Sequence, residues 1–100
     1  MIGLVYYYRS YERLREEADK LRDYWKDIPM VLIVYEFRVG DIYGMVVTPR
    51  DDSVDPSRFL SLVQGVLGEA YKMVDSMPKD VVYTNRWMVG LDTLDAYIEG

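Results

Sequence analysis

Residues 55–77 read DPSRFLSLVQGVLGEAYKMVDSM and are followed by Pro78. Asp55 is a preferred helix N-cap, because its carboxylate accepts a hydrogen bond from a free N–H of the first turn. Pro56 suits the first helical position, where its missing N–H costs nothing. Pro78 biases its predecessor away from helix. The stretch therefore predicts a helix over 55–77, roughly 22 residues and about 33 Å long. Phe59, Val63, Val66, Ala70, Met73 and Met77 form one apolar row and Leu60, Leu67, Tyr71 and Val74 a second. Together they cover about half the circumference, which suits a helix lying across a sheet. Ser61, Gly65, Gly68 and Lys72 fall on the opposite side. Ser61, Gly65 and Gly68 are candidates for close approach by a partner helix, and a solvated surface is the plainer reading.

The stretches on either side supply the sheet. Residues 2–8 are β-branched and aromatic, as strands prefer, with Ile2, Leu4, Tyr6 and Tyr8 on one face and Gly3, Val5 and Tyr7 on the other. Ser10 is the N-cap candidate of a helix to about Asp27, in which Tyr11, Leu14, Ala18, Leu21, Trp25 and Ile28 recur at steps of three and four. Its outer side carries Glu12, Glu16, Asp19, Asp23 and Asp27 flanked by Arg and Lys, a solvated face with ion pairs such as Glu16–Lys20. Pro29 ends it. Residues 30–39 form a second strand. One face carries Val31, Ile33, Tyr35, Phe37 and Val39. The other turns from apolar, at Leu32 and Val34, to charged, at Glu36 and Arg38. Gly40-Asp41 predicts a two-residue II′ turn. Residues 42–48 return, with Tyr43, Met45 and Val47 opposite in facing to Ile42, Gly44 and Val46. Residues 81–89 predict a fourth strand, with a bend or bulge at Thr84-Asn85-Arg86. Asp92 predicts the cap of a short helix over 93–99.

This order is β-α-β-β-α-β, the split βαβ arrangement of ferredoxin-like α+β domains. It predicts one domain over residues 1–100. Right-handed crossovers place two long helices on one face of a four-stranded antiparallel sheet. An antiparallel sheet usually leaves its other face polar, yet the central strands here are apolar on both. Val5, Tyr7, Tyr43, Met45 and Val47, or their alternates, make a partner or ligand face. The simplest cover is a second copy of the chain, since most soluble oligomers are symmetric. A dimer is favoured, a trimer is the other route, and a subunit of a larger complex is the remaining one.

Composition narrows the chemistry. The chain has 100 residues, half hydrophobic and 29% charged, which fits an ordered domain. It contains no Cys and no His, the commonest transition-metal ligands and the commonest general base. The net charge of −5 disfavours nucleic acid and anionic membranes. Gln64 and Asn85 are the only side-chain amides, a scarcity that resembles hyperthermophile composition. The start lacks the basic region of a signal peptide, and no apolar run reaches a membrane span, so a cytoplasmic location is expected. No glycine-rich phosphate loop, nucleophile elbow or calcium-loop pattern occurs, Asp51, Asp52 and Asp55 included. No cofactor or metal site is expected.

In element order the chain is similar to CutA-type trimers and to dimeric α+β barrel proteins. That likeness implies assembly and, for the barrels, a cofactor-dependent enzyme as an alternative. The order also resembles RNA-recognition-motif domains, which stack bases on aromatics of their first and third strands. Against their third-strand signature, Tyr43, Gly44 and Val46 fit, while Asp41, Ile42, Met45 and Thr48 depart from it. The expected function is a small oligomeric binding or regulatory protein, with RNA binding or a barrel enzyme as alternatives.

Overall fold

A computed structural model describes residues 2–91 and 93–97, the last five by their backbone only. The chain runs β1 (Gly3–Tyr8), α1 (Tyr11–Asp23), a 3-10 turn (Trp25–Asp27), β2 (Leu32–Val39), β3 (Ile42–Pro49), α2 (Pro56–Leu67), β4 (Lys72–Val74), β5 (Val82–Gly90) and β6 (Thr93–Tyr97). The strands form one antiparallel sheet in the order β4-β1-β3-β2-β5-β6. The class is α+β, as the pattern predicts, but the sheet has six strands rather than four.

The first half of the chain follows local signals closely. The Ser10 hydroxyl accepts from the Arg13 N–H and starts α1. Leu14, Ala18 and Leu21 are buried. The outer ion pairs are Arg13–Glu16, Glu17–Lys20 and Asp19–Arg22, each at i,i+3 spacing. Val39 pairs with Ile42 around Gly40-Asp41, and only Gly40 of the two has positive φ, at 57°, the pattern of a II′ turn.

The second half departs at Gly68. The helix expected to reach Met77 ends at Leu67, because Gly68 takes φ 85°, ψ −174°, a backbone state open to glycine. Its N–H still bonds to the Gln64 carbonyl, and the Gln64 side chain accepts from the Ala70 N–H, closing the helix end. Residues 72–74 then pair with β1. The strand predicted over 81–89 forms as β5, which pairs with β2 on the far side of the sheet from β4. The predicted terminal helix over 93–99 is replaced by β6: Leu91 turns with φ 41°, and Gly90 pairs with Thr93. Asp92 and residues 98–99 lie outside the described residues.

Both helices pack on one face, over Leu4, Tyr6, Leu32, Val34, Met45, Val47, Trp87 and Val89. The other face is covered by a different device. β4 and β5 stand four places apart in the sheet, about 19 Å at the usual strand spacing. Residues 75–81 must bridge them, and seven extended residues reach at most about 25 Å. They cross as a strap: Met77 and Val81 pack on Val5, Phe37 and Val46, which are fully buried, and the Tyr83 hydroxyl donates to the Pro78 carbonyl. The chain itself shelters the centre of the face that was expected to need a second subunit.

Candidate functional site

The strand β2 reads Leu32, Val34, Glu36, Arg38 along its helix-covered face. Alternation that buries Leu32 and Val34 carries Glu36 inward too, and it is 2% exposed. Burying a carboxylate is costly unless its oxygens find donors. Oε2 finds three: the Trp87 indole N–H donates at 2.7 Å, the Asn85 amide lies at 3.5 Å, and the Arg22 guanidinium approaches to 3.9 Å. That guanidinium stacks on the Trp87 ring at 4.0 Å and is held by Asp19 at 3.0 Å. Oε1 is buried and has no hydrogen-bond partner among the described residues.

The backbone is shaped around this residue. The β2–β5 register shifts between Glu36 and Phe37: Asn85 faces Glu36, Tyr83 faces Phe37, and Thr84 is extra. Such a β-bulge re-aims side chains and is common beside functional sites. Here it turns Thr84 and Asn85 toward Glu36, with the Thr84 hydroxyl on the Glu36 carbonyl at 3.4 Å. Two adjoining clefts share Glu36 and Tyr11, which comes from the first turn of α1. One, about 310 Å³, is completed by Arg38, Tyr43, Thr84 and Asn85. The other, about 420 Å³, is completed by Arg15, Asp19 and Arg22. The Tyr11 and Tyr43 rings meet at 6.0 Å and 62°, forming an aromatic wall.

A second polar group lies under the same helix. The Tyr6 hydroxyl donates to the Gly68 carbonyl at 2.9 Å, while the buried Tyr8 hydroxyl has no partner among the described residues. Burial, and then the Glu17 carboxylate, push Tyr6 up to about 12. Tyr8 is also raised, by burial first and then by Glu17 and Tyr6, with Arg13 opposing. The folded state therefore keeps a proton that the unfolded chain releases near pH 10. Stability from Tyr6 is complete below about pH 10 and is lost as pH rises toward about 12, at roughly 1.4 kcal/mol per pH unit. Urea midpoints are expected to fall between about pH 9 and about pH 11, and Tyr6→Phe to flatten that fall. A wild-type midpoint that stays level would contradict this.

The predicted face residues divide. Val5 pairs with Val46 and Tyr7 with Gly44, so Val5 and Tyr7 lie on the strapped face. Tyr43, Met45 and Val47 pair with Tyr8, Tyr6 and Leu4 and lie under the helices. Of the five, only Tyr43 lines the Glu36 cleft. Ser61 and Gly65 are exposed, a Cβ at Gly65 would meet nothing within 4 Å, and Gly68 ends the helix. Sequence reasoning missed Glu36. Its one signal was a lone carboxylate continuing the Leu32–Val34 face.

A larger groove, about 860 Å³, runs along β4 and the strap, lined by Ile2 and residues 72–79. Met73, in its lining, is 56% exposed on β4, a strand that has a paired neighbour on one side only, and Tyr71 just before that strand is 72% exposed. No described helix is long and apolar enough to cross a membrane. The molecule is thus an α+β protein with an open antiparallel sheet and a cleft built over a buried carboxylate. Compared with protein-family models, with curated proteins and with solved structures, the chain matches none.

Proposed function

We propose that the protein binds a small polar ligand in the cleft over Glu36, as a binding or regulatory protein. One observation carries this reading: a carboxylate 2% exposed holds one oxygen in a network of donors and keeps the other without a partner, beside two clefts and a β-bulge. A purely structural Glu would be expected to satisfy both oxygens or to yield to an apolar residue. We read β4-β1-β3-β2 with α1 and α2 as a ferredoxin-like unit, extended by the β5–β6 hairpin. RNA binding on the aromatic sheet face has less support, because Tyr43 lies under the helices and the strap crosses the other face.

The test is a screen of amines, acids, polyols and nucleotides by amide and indole NMR shifts. Ligands of the cleft are expected to move the Trp87 indole N–H together with the Thr84 and Asn85 amides. Hits confined to residues 72–79, or no hits at millimolar concentration, would sink the reading.

Self-association is a second reading, favoured by exposed Met73 on the edge strand β4 and exposed Tyr71 just before it. An open edge pairs readily with another strand. Light scattering is expected to give a dimer that Met73→Lys converts to monomer. A monomeric wild-type protein at high micromolar concentration would rule it out.

A further inference from the structure

Resting on that cleft reading, we infer that the ligand is a small zwitterion: a primary ammonium group for Glu36, joined by a short chain to an acid group for Arg38. The ammonium follows from Oε1. A buried carboxylate oxygen without a donor is best met by a charged N–H, since charge-assisted bonds are about twice as strong as neutral ones. The nearby cations do not supply it. Arg22 reaches Oε2 rather than Oε1, and it is committed to Asp19 and to the Trp87 face.

The acid follows from Arg38. It is two residues along β2 from Glu36, on the same face, about 7 Å away along the strand. It lines the same cleft and is exposed. Its Nε donates to the Gly40 carbonyl at 3.1 Å, which fixes the guanidinium plane. Its two terminal nitrogens make no hydrogen bond or ion pair with the described residues, and a guanidinium offers five donors in a fork that suits a carboxylate. Acceptor and cation therefore stand two residues apart on one face of one strand and line one cleft, and an amino acid with a few carbons between its ends carries the complementary pair of groups. The Tyr11–Tyr43 wall packs that short chain, and a cleft of about 310 Å³ sits at the small end of ligand pockets. Glu36 lines both clefts, and so does Tyr11, which is 46% exposed.

The experiment is a titration of the full-length protein with glycine, β-alanine and γ-aminobutyrate, against n-butylamine and butyrate, followed at the Trp87 indole N–H. At least one amino acid is expected to bind tenfold or more tightly than either single-charge probe. Arg38→Gln should reduce its affinity to that of n-butylamine, and Glu36→Gln should remove the shift. Arg38 is exposed, so its variant tests the idea even where Glu36→Gln perturbs folding. Butyrate or n-butylamine binding as well as every amino acid would overturn the zwitterion, as would an Arg38→Gln variant with unchanged amino-acid affinity. If no probe of this series moves the cleft signals while the broader screen finds a ligand there, the zwitterion falls and the cleft stands. Silence in both removes both.

Discussion

Gly90→Ala is expected to lose about 4 kcal/mol of stability and to fold only marginally. Gly90 closes β5 with φ 113°, a region that residues with a Cβ rarely enter. A Cβ built there would collide with the Met30 carbonyl oxygen and lie 2.9 Å from Ile28 Cγ2. The first contact is with backbone, which cannot swing aside as a side chain can. That backbone is also anchored, since the Leu91 N–H bonds to the Ile28 carbonyl at 2.9 Å. The substitution therefore forces β5 away from residues 28–30, the segment that links α1 to β2. Strain of about 1–3 kcal/mol for the backbone state and about 1–3 for overpacking add to a large part of a typical domain's stability. Gly65→Ala is the control. It lies within α2 with open space around its Cβ, and it should stabilise by about 0.5–1 kcal/mol through helix propensity alone. Urea unfolding reads both. A Gly90→Ala protein within 1 kcal/mol of wild type would mean that the approach of β5 to Met30 is looser than described.

The two halves of the chain differ in legibility. Ser10, the Leu14–Ala18–Leu21 spacing and Gly40-Asp41 act through neighbours in sequence, so their consequences are local and readable. At Gly68 two local readings compete. Ala70, Met73 and Met77 continue the helical spacing of Phe59 and Val63, while residues 71–74 are equally good strand material. What decides is the open edge of β1, which Lys72–Val74 fills, and no local signal records it. One consequence then propagates: with residues 72–77 read as helix, the strap and its burial of Val5, Phe37 and Val46 disappear from view. Facing fails for a related reason. Alternation says that Val5 goes with Tyr7 and Met45 with Val47. Only the register, Val5 opposite Val46, says that the two sets point apart. Glu36 was visible as a charge after two apolar residues, but its burial depends on α1 and on the Thr84 bulge, both brought in from elsewhere in the chain. The bulge itself was legible at 84–86, though not what it serves.

The Glu36–Trp87 pair should respond to substitution as a unit. Trp87→Phe keeps most of the buried ring but removes the 2.7 Å donor, leaving Oε2 with the Asn85 amide at 3.5 Å and Arg22 at 3.9 Å. A carboxylate buried with its best donor gone is expected to cost about 2–3 kcal/mol. Glu36→Leu leaves the Trp87 N–H unpaired instead and should cost about 1–3 kcal/mol. The double variant removes both polar groups together. It is expected to lie within about 1 kcal/mol of wild type, because apolar replacement of a buried polar pair is often neutral or stabilising. The measurement is a double-mutant cycle in urea, and a coupling of about 2 kcal/mol or more is the expected outcome. Additive single costs would mean that the pair is not the unit described. The cycle also separates structure from function. If Glu36 served only the fold, a third apolar residue after Leu32 and Val34 on that face would have been a simpler solution. A double variant that is as stable as wild type and yet silent toward cleft ligands would place the reason for the buried carboxylate in what it binds.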